Sequence, residues 1–117
     1  MTLEEAASEL NMDLERVLDR MVNKRELLFR LMKAFVVTGD MEKARTAWQE
    51  KDYKCLEERV HSMKGAAGSL GFPDMFETSN ELLQTVRRGE YDAVEEQFER
   101  MEDAYVQVCR VVGSLEK

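Results

Sequence analysis

The chain has 117 residues, of which 44% are hydrophobic and 35% charged, and its formal net charge is −7. That size suits one domain whose core needs no disulfide or metal, and the charge disfavours nucleic acid, which is bound through concentrated Lys and Arg. Only six glycines and one proline interrupt a background of Glu, Leu, Met, Lys, Arg and Ala, which favours helix and argues against a β-sandwich or barrel. Residues 2–10 read as a short, acidic helix. Asn11 or Asp13 caps a second helix, with Leu14, Val17, Leu18 and Met21 apolar. From Arg25 onward, Leu28, Leu31, Met32 and Phe35 recur at three- and four-residue steps. Met41, Ala44 and Trp48 carry the stripe toward Lys51. The spacing predicts one long helix, kinked at Thr38-Gly39-Asp40.

Asp52 is a good N-cap for the next helix, whose seam is Tyr53, Leu56, Val60, Met63, Ala67 and Leu70. Gly71-Phe72-Pro73 ends it, and Pro73 suits the first turn of the helix that follows. That helix carries Met75, Phe76, Ser79, Leu82, Leu83 and Val86. Gly89 punctuates, and the last helix starts near Tyr91. Its seam is Val94, Phe98, Met101, Tyr105, Val108, Val112 and Leu115. The expected fold is all-α: an antiparallel four-helix bundle over residues 25–115, preceded by a short N-terminal helical lead-in at 1–22. One domain over 1–117 is expected, with no linker, repeat or low-complexity segment.

Cys55 and Cys109 match no CxxC spacing and read as two thiols in a reducing compartment. No apolar run approaches the ~18 residues of a membrane span. The start, Met1-Thr2-Leu3-Glu4-Glu5, lacks the basic and apolar regions of a secretory signal, so the cytoplasm is expected. The chain has one histidine, His61. Chemistry that needs two histidines in one chain, His-rich zinc sites included, is therefore excluded. The eight methionines read as seam filler, and Trp48 and Phe35 as core.

On a helical wheel His61 falls about 100° from Val60 and Gly68 about 80°, both off the seam. Gly65 falls near 140° and Lys64 near 40°, on the shoulder of the seam, by the same geometry. His61 should face solvent, with Gly65 and Gly68 leaving the next two turns bare and Lys64 reaching back toward the imidazole. Each glycine inside a helix costs roughly 1 kcal/mol relative to Ala. For an arbitrary surface histidine a solvated, idle role is the default, with Gly68 merely beginning the helix end. Two glycines beside the only histidine make better sense if something bulky must approach the imidazole.

The stretch His61-Ser62-Met63-Lys64-Gly65-Ala66-Ala67-Gly68-Ser69-Leu70-Gly71 resembles the signature of the histidine-containing phosphotransfer (HPt) domain. That pattern is H-x-x-K-G, five further residues, then G, and His61, Lys64, Gly65 and Gly71 match it. Asp52 stands where the family has an Asp opening the histidine helix. Leu31-Met32-Lys33-Ala34-Phe35 resembles the apolar-x-x-Phe segment of its preceding helix, and the resemblance runs from about residue 12 to 115. Met63 departs from the usual Leu, and Val60 from the small residue that often precedes the histidine.

The resemblance implies a phosphorelay intermediate. His61 would accept a phosphoryl group from a receiver-domain aspartate, or from a histidine-kinase relay, and pass it to a response regulator. Lys64 would stabilise the phosphoryl oxygens, Gly65 and Gly68 would give access, and Gly71 would close the motif. No metal site or cofactor of its own is expected: magnesium would belong to the partner receiver's acidic pocket. Ser69 could cap the helix end or touch the phosphoryl group, and Glu57 could bond the imidazole or stay solvated. The partners implied are receiver domains and a hybrid sensor kinase. No ATP-binding lobe is present, so the chain is not expected to make phosphohistidine from ATP by itself.

Residues 42–64 hold six basic and five acidic side chains, whereas residues 74–104 hold three basic and ten acidic. The histidine region is thus near neutral beside two acidic helices, which suits partner discrimination. Two other readings stand beside the relay. One is a histidine kinase dimerisation domain, although Ser62 follows His61 where those domains carry an acid. The other is a helical protein-binding module without phosphotransfer.

Overall fold

The computed structural model of the chain describes residues 1–116; Lys117, the last residue of the expected domain, lies outside the described residues. Seven α-helices follow one another among the described residues: α1 Leu3–Glu9, α2 Leu14–Arg20, α3 Arg25–Val37, α4 Asp40–Gln49, α5 Tyr53–Leu70, α6 Pro73–Arg87 and α7 Val94–Gly113. Among the described residues there is no strand.

Helix starts follow the expected caps. Asp13 Oδ1 accepts from the Arg16 amide at 3.2 Å and Asp52 Oδ1 from the Cys55 amide at 3.1 Å. Thr2 and Glu5 form a reciprocal capping box that opens α1, and the Thr2 amide and hydroxyl hold the Glu5 carboxyl below its ordinary value. Pro73 opens α6 as expected.

The long kinked helix expected over residues 25–51 is instead two helices. Gly39 takes a left-handed conformation, φ +79°, and the hydrogen-bond ladder stops there. A left-handed residue turns the chain more sharply than a kink, and glycine reaches that region without a Cβ clash. The last helix also differs at its start. Tyr91–Ala93 form a 3-10 turn, and α7 begins at Val94.

α5 is the central element. It packs against α4 on one flank and α6 on the other, while α7 closes the bundle against α6 and α3. Leu56, Val60, Met63, Ala67 and Leu70 are buried as the seam requires, with Tyr53 half-buried. They meet Leu28, Met32 and Phe35 of α3, Leu82 and Leu83 of α6, and Met101 and Val108 of α7 in one core. Tyr105 of α7 donates its hydroxyl to the Val36 carbonyl at 3.0 Å, tying α7 to the end of α3. Burial, chiefly, pushes that phenol up to about 12, so it acts as a neutral donor.

The lead-in is docked at both ends. α1 lies on α7, where Arg110 pairs with Glu9 at 3.0 Å and Gln107 donates to the Glu9 carbonyl at 3.2 Å. α2 meets the C-terminal end of α5. Arg20 Nη2 donates to the carbonyls of Gly68 at 3.3 Å and Ser69 at 2.9 Å, two acceptors left open where the helix ends.

Gly71 ends α5 at φ +75°, and a Cβ there would stand 2.4 Å from Val17 Cγ2 of α2. Gly71→Ala therefore combines a left-handed alanine with overpacking, and we expect a loss of about 2–4 kcal/mol. Urea denaturation reads it as a lowered midpoint. Adding Val17→Ala should remove the steric share but not the backbone share.

Candidate functional site

Val60 and Met63 point into the core, and the helical repeat swings the intervening His61 out to solvent in the middle of α5. Glu57, Lys64, Gly65 and Gly68 lie at positions −4, +3, +4 and +7 relative to it and share its face. Four of the sequence-predicted positions are thus brought together around one strip of α5: His61, Lys64, Gly65 and Gly68. Gly71, the fifth, sits at the end of the same helix as its left-handed cap.

The two glycines of the strip are not alike. At Gly65 an added Cβ would meet nothing within 4 Å, so the turn after His61 is open to anything approaching from solvent. At Gly68 an added Cβ would stand 3.3 Å from the Phe76 ring. Gly68 is exposed, and the Phe76 ring occupies the space that a side chain there would take. The glycine lets α6 and its ring lie close to α5.

Phe76 remains 37% exposed, although its sequence pattern placed it on the apolar stripe. On the wheel it lies about 60° from Ser79, at the margin of the stripe, and that offset was the available signal. Lys64 is half-buried, with Nζ 5.8 Å from the centroid of the Phe76 ring. The ring supports the lysine stem and leaves its ammonium at the rim of the His61 face.

Glu57 is engaged elsewhere: its Oε1 accepts from Arg87 Nε of α6 at 2.8 Å. Among the described residues the Ser69 hydroxyl caps nothing; the left-handed Gly71 terminates the helix, its amide donating to the Ala67 carbonyl. Phe35 is buried as expected, and Trp48 is half-buried beneath the Lys51 ammonium.

On the other flank of α5 an apolar groove runs between α3 and α5. Leu31, Ala34, Met63, Ala66 and Leu70 line it, with Leu31 40% exposed. Its upper wall is a polar tie that sequence reasoning missed. Ser62, the residue after His61, donates to Asp40 Oδ2 at 3.0 Å, and Arg59 pairs with the other oxygen at 3.5 Å. Asp40 is the first residue of α4, so the tie fixes α4 against the histidine turn. Only the break at Gly39 puts Asp40 there.

No group of three or more His, Cys, Asp and Glu among the described residues is arranged to hold a metal ion. No described helix is long and apolar enough to cross a membrane. The face presents one exposed imidazole, one cation beside it and a bare turn at Gly65.

Residues 36–110 of the 117 match the family model described as the Hpt domain. No curated protein and no solved structure matches the chain. The match takes in α4, α5, α6 and most of α7, and with them the whole His61 strip, and it covers more than half of the sequence. The chain belongs to the Hpt domain family, whose members carry out histidine phosphotransfer in two-component phosphorelays.

Proposed function

We propose that His61 is the phosphoacceptor of a relay between receiver domains. A lone pair on an imidazole nitrogen attacks the phosphorus of a receiver's aspartyl phosphate. The N–P bond forms as the P–O bond breaks, and the aspartate leaves as a carboxylate. The reverse step, on a second receiver, discharges the phosphohistidine. Such transfer needs positioning and charge stabilisation more than a large set of catalytic groups, and the His61 face offers that much. Lys64 is the cation for the phosphoryl oxygens, and Gly65 is the opening through which the partner's aspartate arrives. Magnesium, where used, belongs to the receiver.

The observation that carries this reading is the pairing of the chain's one histidine, exposed in mid-helix, with the open turn at Gly65. A scaffold that only docks a partner has no need of either. The cytoplasm is the compartment we infer, supported by two free thiols at Cys55 and Cys109. The test is incubation with a receiver domain phosphorylated on aspartate. A relay gains label, while a binding module forms the complex and gains none. Lys64→Ala should gain label about tenfold more slowly while still binding the receiver, because the charge it removes acts mainly on the transferring group.

A further inference from the structure

α2 does more than hold the end of α5. Together with the α5–α6 corner it forms a groove lined by Arg16, Arg20, Gly68, Phe76 and Pro73, directly beside the His61 strip. Seven of the ten arginines pair with carboxylates: Arg25, Arg45, Arg59, Arg87, Arg88, Arg100 and Arg110. The two in this groove do not. Arg20 donates to the α5 carbonyls. The Arg16 guanidinium is exposed and makes no hydrogen bond or ion pair among the described residues. Asp13, the one acid lining the groove, accepts from the Arg16 backbone amide. Lys64 stands at the near edge, over the same Phe76 ring. A chain with a net charge of −7 thus presents a cationic lane with an exposed aromatic floor, continuous with the face on which phosphotransfer is proposed.

We propose that α2 is a recognition rim for the receiver domain, and that Arg16 selects receivers carrying a carboxylate on the segment beside their phosphoryl site. The proposal rests on the reading of His61 as acceptor. The rim lies outside residues 36–110, so it belongs to the part of this chain that the family model does not describe. Exposed cations at the edge of an interface act mainly on encounter and partner choice, and their effect fades as salt screens them.

The experiment compares the parent with Arg16→Glu and Arg16→Lys, each labelled by two donors. Phosphoramidate, a small phosphodonor, reports the acceptor alone. Receiver domains phosphorylated with acetyl phosphate report acceptor and docking together, using the receiver that labels the parent fastest. Phosphoramidate should label all three proteins equally. Arg16→Glu should need about tenfold more receiver for half-maximal rate, with the gap closing as salt is raised, and Arg16→Lys should match the parent. Equal receiver dependence in parent and Arg16→Glu overturns the rim while leaving His61 as acceptor. A parent that no receiver in the panel labels overturns both.

Discussion

His61→Gln should abolish phosphoryl acceptance from every donor and leave helicity and thermal stability nearly unchanged. Glutamine keeps a polar side chain of similar reach and good helix propensity but has no nucleophilic ring nitrogen. The position is exposed between the buried Val60 and Met63, and no hydrogen bond or ion pair depends on the imidazole among the described residues. Surface substitutions of this kind cost under about 0.5 kcal/mol. The check pairs a labelling assay with circular dichroism melting. Label retained by the Gln variant would move the acceptor to another residue. A large fall in stability would contradict the exposed, unsupported setting of the ring.

Gly65→Leu should separate stability from transfer in the opposite sense. The site is exposed and helical, and an added Cβ meets nothing within 4 Å. Leucine is the better helix former by most of a kcal/mol, roughly 0.8, so stability should hold or rise. Yet the side chain stands one turn from His61, in the opening proposed for the receiver. Displacing reacting atoms by about 1 Å costs on the order of a hundredfold in rate, so transfer from a receiver should fall by at least that much. Phosphoramidate, being small, should still label the variant. Transfer at the parent rate would mean that the glycine is not an access device. The corresponding change at Gly68 should behave differently, because a side chain there meets the Phe76 ring and so disturbs the α5–α6 contact as well as the face.

Much of this architecture was legible in the residues. The seam of α5 steps by three and four, and each of its members from Leu56 to Leu70 is buried, because a repeat near 3.6 residues leaves one continuous face for the core. The same periodicity put His61 outside. Local chemistry fixed the caps at Asp13, Asp52 and Pro73, since each acts within one turn of its own position. What local rules could not deliver was the depth of the break at Gly39. A glycine between two apolar stripes is compatible with a kink or a left-handed turn, and only packing of α4 along α5 decides between them. The tie from Ser62 to Asp40 follows from that decision and was equally hidden.

The site shows the same division. His61, Lys64 and Gly65 share a face by geometry internal to one helix, so their juxtaposition could be read directly. Gly68 and Phe76 touch across two helices, and Arg20 reaches α5 from 48 residues away in sequence. Contacts of that kind carry no periodic signature. Gly65 and Gly68 look alike in the sequence for this reason, yet an added Cβ meets open space at the first and a neighbour's ring at the second.

The central claim is tested most directly by locating the transferred group. The chain is incubated with a phosphorylated receiver, digested at neutral to basic pH, and its peptides mapped by mass spectrometry. The account predicts one phosphoryl group, on His61, lost in acid and kept in base as a phosphoramidate is. A phosphoryl group on any other side chain, or a stable complex with the receiver and no transferred phosphoryl group, would contradict it.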